Sequence, residues 1–127
     1  MRARRGTAAQ RRGMTAEDAA CAALRAEGWD VLGRRLRTQA GEIDIVAERN
    51  GLLAFLEVKA RPTLADAVQA LSLRQRRRLL AAAELLLAEH PEWGREGVRF
   101  DVLVVDAAGA VRRIADAFRQ ESVEGSA

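Results

Sequence analysis

The chain has 127 residues, a formal charge of +3 and 49% hydrophobic residues, which fits one globular domain and excludes global disorder. One histidine (His90), one cysteine (Cys21), three serines and no tyrosine cannot build a Cys/His zinc centre, a disulfide framework or a tyrosine nucleophile. Any enzymatic chemistry must then come from carboxylates, cationic side chains and a hard metal ion.

The positive charge is concentrated at the front. Residues 1–41 carry nine Arg against four acids, whereas residues 42–127 carry twelve basic and fourteen acidic residues. Residues 1–13 contain five Arg and no acid and are expected to form a flexible basic arm, either a solvated tail or a phosphate-contacting segment. Thr15 is a candidate N-cap for a helix over 15–27, with Ala20, Ala23 and Leu24 as its apolar stripe and Gly28 as its stop. The six-residue apolar run Ala19–Leu24, bracketed by Glu17, Asp18 and Arg25, is too short for a signal peptide, and no stretch reaches the ~18 apolar residues of a membrane span. The expected location is cytoplasmic, with no membrane partner.

Residues 29–36 read as a strand with Arg34, Arg35 and Arg37 at its end. Residues 42–48 and 53–59 are two alternating runs joined by Asn50-Gly51, the signal for a type I′ hairpin. Pro62 ends the second run. A helical pattern over 64–89, broken near Ser72, is followed by a loop over 90–97, a strand over 98–105, a turn at 106–109 and a last strand over 111–118. The polar tail over 120–127 lies outside the domain, which spans 14–119. The order α-β-β-β-α-β-β predicts a mixed α/β fold: a sheet with a central hairpin and flanking helices.

A hairpin closed by Asn50-Gly51 sets Asp44 opposite Glu57 and Glu42 opposite Lys59. All four side chains then share one face, with Ile43, Ile45, Ala47, Ala54, Leu56 and Val58 on the other. Directly opposed like charges about 4.5–5.5 Å apart are destabilising. Asp44 facing Glu57 is therefore either a site where a divalent cation bridges the two carboxylates, or a solvated face on which Lys59 neutralises one of them. Lys59 is the only lysine; the other twenty cations are Arg. A chain that uses Arg for generic positive charge has one compact ammonium, two residues after Glu57, and that favours chemistry at this position.

The stretches Glu42-Ile43-Asp44 and Phe55-Leu56-Glu57-Val58-Lys59-Ala60-Arg61 resemble the signature of the PD-(D/E)xK nuclease superfamily. Within it the chain resembles the small bacterial YraN family, which is similar to archaeal Holliday-junction resolvases. The likeness covers residues 13–118: Gly13, Glu17, Ala20, Leu24 and Gly28 in the first helix, Gly41 to Asp44, Glu57 to Lys59 with Arg61, Arg99-Phe100-Asp101, and Asp116-Ala117-Phe118.

The resemblance implies a restriction-endonuclease-like core and Mg²⁺ (or Mn²⁺) as cofactor. It assigns Asp44 and Glu57 as acidic metal ligands with the Val58 carbonyl as a third, and Lys59 as the residue that orients or deprotonates the attacking water. Glu17 is implied as a first-helix carboxylate reaching the same site. Glu42, placed opposite Lys59, would tune that lysine or bind a second metal. Ile43 stands where the superfamily name has Pro. The helix near residue 75, where relatives often carry Lys, here reads Arg74-Gln75-Arg76-Arg77-Arg78.

Arg34, Arg35, Arg37, Arg74, Arg77 and Arg78 are candidate nucleic-acid contacts, or else solvated charge. Arg99 and Asp101, two apart on one strand, are expected to form a structural ion pair. Trp29 and Trp93 are expected to pack, Cys21 to be buried and inert, and His90 to be incidental. Leu79 to Leu87 supply either core or a homodimer interface. The expected function is Mg²⁺-dependent hydrolysis of phosphodiesters in DNA or structured nucleic acid. The alternative is a binding or adaptor protein that keeps the fold with weak or no activity.

Overall fold

The computed structural model describes residues 8–63, 66 and 72–118, with side-chain surroundings over 16–63, 66 and 72–115. Residues 1–7 of the expected arm, most of the expected helical segment over 64–71, and the tail over 120–127 lie outside the described residues.

Seven elements follow in order: α1 (Ala8–Ala26), β1 (Asp30–Thr38), β2 (Gly41–Arg49), β3 (Leu52–Ala60), α2 (Leu73–Glu89), β4 (Gly97–Val105) and β5 (Val111–Phe118). This is the expected mixed α/β order. The five strands lie in the sheet in sequence order. All neighbours are antiparallel except β3 and β4, which run parallel and are joined by the α2 crossover.

α1 begins at Ala8, so Thr15 lies inside the helix and is not its N-cap. The preceding Ala8-Ala9-Gln10-Arg11-Arg12 are good helix formers, and the single Gly13 does not outweigh them. Gly28 ends the helix as expected, at φ 89°, with its N–H on the Arg25 carbonyl at 3.0 Å. Asn50 and Gly51, at φ 53° and 83°, form the type I′ turn that pairs Arg49 with Leu52. Ser72 caps α2, its hydroxyl oxygen accepting the Gln75 N–H at 3.1 Å.

Both faces of the sheet are covered. On one, α2 packs Leu79, Ala82, Ala83 and Leu86 against Ile43, Val46, Leu53, Phe55, Phe100, Val102 and Val104. On the other, α1 packs Ala20, Cys21 and Leu24 against Trp29, Ile45, Ala47, Ala54, Leu56 and Leu103. The leucine-rich stretch of α2 thus serves mainly as core, with Leu85 exposed.

Ile43 and Ile45, expected on one face, enter opposite cores. Strict alternation would put them together, so β2 departs from a regular strand between them. The departure falls at Asp44, where pairing with β3 also stops: the β2–β3 ladder runs from Arg49↔Leu52 to Ile45↔Leu56.

Candidate active site

Beyond Ile45 and Leu56, β2 and β3 are linked by a side chain. Asp44 Oδ2 accepts the Val58 backbone N–H at 2.8 Å. Glu57 and Lys59 project from β3 toward the α2 face, where Lys59 Nζ lies 3.5 Å from Glu57 Oε2 and both side chains are largely buried. Gln75 of α2 completes the group, its Nε2 donating to the same Glu57 oxygen at 3.4 Å.

The other Glu57 oxygen, Oε1, is buried and meets no N–H donor among the described residues; the Glu57 and Asp44 carboxyls lie within hydrogen-bond reach of each other. Glu57 lines a cavity of about 10 Å³ together with Ile43, Phe55, Leu56, Leu79, Phe100 and Asp101. Burial, first, and the Asp44 charge, second, push the Glu57 carboxyl up to about 7. Asp44 is also raised, chiefly by burial; the Val58 N–H opposes the shift and the Glu17 charge adds to it. Two desolvated carboxyls side by side favour keeping a proton, which is the cause of both shifts.

Among the described residues no three Asp, Glu, His or Cys side chains converge as a metal cage. The available donors are the Asp44 carboxylate, Glu57 Oε1 and backbone carbonyls. All are hard oxygens, and such a set suits Mg²⁺ or Mn²⁺, which bind through one or two carboxylates and keep water and phosphate ligands.

Glu17 approaches from α1, near enough for its charge to act on Asp44, but its carboxylate is held elsewhere. Arg35 Nε lies 3.0 Å and Arg34 Nη2 3.4 Å from Glu17 Oε1, and Arg34 also reaches Asp18 at 3.0 Å. Glu42 does not face Lys59. It pairs across β1–β2 with Arg37, at 3.5 Å and largely exposed, because the β2–β3 register stops before reaching it. Arg34, Arg35 and Arg37 therefore share their charge with acids of this chain.

Arg74, Arg77 and Arg78 lie on the exposed side of α2. The Arg78 stem crosses the β1–β2 turn so closely that a Cβ on Gly41 would stand 3.1 Å from it. Gln75 was not anticipated as a site residue. The signal was present: it precedes Leu79 by four positions and so heads the inward stripe of α2. Asp101 is fully buried and paired with Arg99 at 3.0 Å, as expected, with Arg113 a second partner at 3.6 Å. The Arg49, Arg99 and Arg113 guanidiniums surround the Trp29 ring at 4.8–5.5 Å. Cys21 is buried and its thiol is raised by burial, as an inert residue should be.

This arrangement belongs to a family. The profile of the uncharacterised protein family UPF0102 matches residues 16–105, from α1 to the end of β4. The chain is 66% identical over 115 residues to a UPF0102 protein of Granulibacter bethesdensis, covering 91% of this chain and 73% of that one. It is 51% identical over 118 residues to a UPF0102 protein of Azorhizobium caulinodans, covering 93% and 90%. A relative from Acidiphilium cryptum is 46% identical over 113 residues, covering 89% and 88%. The chain is a member of the UPF0102 family, which is the YraN family of the sequence resemblance. No described helix is long and apolar enough to cross a membrane.

Proposed function

We propose that this protein is a Mg²⁺- or Mn²⁺-dependent nuclease that hydrolyses phosphodiester bonds in DNA or structured nucleic acid. The observation that carries the reading is the buried Asp44–Glu57 carboxyl pair, with Glu57 Oε1 meeting no N–H donor among the described residues and the lone lysine 3.5 Å from Oε2. A folded protein seldom leaves such an oxygen without a donor unless it has a role.

In this reading Asp44 and Glu57 would hold the cation, with the Val58 carbonyl as the third protein ligand. When bound, the dication would supply charge that polarises the scissile phosphate and acidifies the attacking water. Lys59 places that water in line and offsets charge developing on the phosphate. Gln75 holds Glu57 from the helix side, which leaves Oε1 free to coordinate. The arginines of α2 and of the β1 end meet flanking phosphates.

One observation favours a second reading, a nucleic-acid-binding protein with a weak or silent site: Glu17 is engaged by Arg34 and Arg35. A cleavage panel decides between them. Duplex, flap, four-way-junction and single-stranded DNA are incubated with the protein in Mg²⁺ or Mn²⁺. Cleavage of at least one substrate, absent in EDTA and in Asp44→Asn, is the expected result. Binding without cleavage of any of them would establish the second reading.

A further inference from the structure

Lys59, Val104 and Arg112 occupy one row across β3, β4 and β5, as direct register partners. Register partners project to the same side. Val104 belongs to the α2 core, as does Ile114, two residues after Arg112, whereas Val111 packs on the α1 side. Arg112 therefore stands on the face that carries Glu57 and Lys59, two strand spacings, roughly 9.5 Å of backbone, from the lysine. The row lies at the carboxyl ends of the one parallel pair, where open α/β sheets bind their ligands.

At that end is a cleft of about 160 Å³ lined by Pro62, Thr63, Val104, Asp106, Ala110 and Arg112. Arg112 is exposed and forms no ion pair among the described residues. Arg34, Arg35 and Arg37 differ in this respect, since each is matched by an acid. The acid lining the cleft, Asp106, has one oxygen taken up by the Ala108 and Ala110 N–H groups at 2.9 and 3.0 Å, so it shapes the β4–β5 turn. Thr63 adds a hydroxyl to the lining, its oxygen accepting the Asp66 N–H at 3.1 Å.

We propose that this cleft is a phosphate subsite for the substrate strand, with Arg112 anchoring a phosphate that flanks the scissile one. The strand then crosses β3, β4 and β5 along the Lys59–Val104–Arg112 row. This subsite rests on the nuclease reading and extends it: Arg112 binds and positions substrate without touching the reacting atoms.

The test is fluorescence anisotropy of labelled single-stranded and duplex DNA in EDTA, over a NaCl series, with wild type, Arg112→Gln and Arg112→Lys. Losing one phosphate contact should weaken binding severalfold and lower the slope of log affinity against log salt by about 0.7–0.9. Arg112→Lys should restore the slope, which a merely structural arginine would not require. In Mg²⁺, Arg112→Gln should raise KM and leave kcat near wild type. If wild type binds with a clear salt slope and Arg112→Gln has the same affinity and slope, the subsite is refuted and the nuclease reading stands. If wild type binds none of the DNAs at low salt, the nucleic-acid reading itself falls, and the subsite with it.

Discussion

The Val58 backbone N–H donates to Asp44 Oδ2 at 2.8 Å, so a side chain of β2 takes the place a β2 carbonyl would hold in a continuing ladder. Registered pairing of β2 with β3 ends there, and the Glu57 carboxylate beside it turns to the α2 face. Asp44 has both a structural and a chemical task, and the two can be parted. Asp44→Asn keeps an oxygen that can accept the Val58 N–H but removes the charge.

Mg²⁺ or Mn²⁺ should therefore raise the melting temperature of the wild type by mass action, by ~2.7 kcal/mol of stability at a hundredfold excess over Kd. Asp44→Asn should lose that rise while remaining at least as stable without metal, because a like-charge contact is gone. Thermal melts with and without the cation measure both. An undiminished metal response in Asp44→Asn would remove Asp44 from the site.

Acid–base linkage gives a second expectation. Glu57 is raised to about 7 in the fold, above its ordinary value near 4.3, so the native state keeps a proton that the unfolded chain releases. Stability of the metal-free protein should fall as pH rises from roughly 4.5 through about 7 and then level off. Asp44, raised as well, acts in the same direction. Glu57→Gln should remove most of that slope and melt higher than wild type at pH 8. Melting curves at pH 5, 6, 7 and 8 in EDTA test this; a wild-type stability that rises over the window would contradict it.

Much of this site was legible before the fold was known. Asn50-Gly51 announces its turn chemistry locally, and the hairpin register follows as far as Ile45↔Leu56. The lone lysine marked its own position by composition. Alternation alone could not show that Ile43 and Ile45 part to opposite faces, because the break falls at Asp44, whose side chain takes the Val58 N–H, opposite Arg35 at φ 52°. The partner of Glu42 was hidden for a related reason. It is set by β1, whose register with β2 shifts between Val31 and Gly33; the lone Gly33 inside the strand pattern is a bulge signal, but it does not give the resulting register. Gln75 was obscured by the arginines around it, although the helical stripe passes through it.

Glu42 offers a contrast with Lys59. It is paired with Arg37 on an exposed edge, and exposed ion pairs contribute about 0–1 kcal/mol. Glu42→Gln should leave metal affinity and melting temperature within error and change cleavage by less than about threefold. A loss comparable to that of Asp44→Asn would return Glu42 to the site.

The arginine clamp on Glu17 should respond to nucleic acid. Neutralising Arg34 and Arg35 to Gln should weaken DNA binding and flatten its salt dependence if phosphates compete with Glu17 for them. Metal binding in the absence of DNA should not weaken. Anisotropy titrations over a salt series distinguish this from a purely internal ion pair, for which the slope would not change.

The most direct test of the whole account is single-turnover cleavage by wild type, Asp44→Asn and Lys59→Arg, on whichever substrate the wild type cuts. Lys59→Arg preserves the charge but moves it outward on a planar fork. The account predicts that both variants fold and bind DNA as wild type does. Asp44→Asn should not cleave, and Lys59→Arg should cleave on the order of 10²-fold more slowly. Wild-type rates in either variant would contradict it.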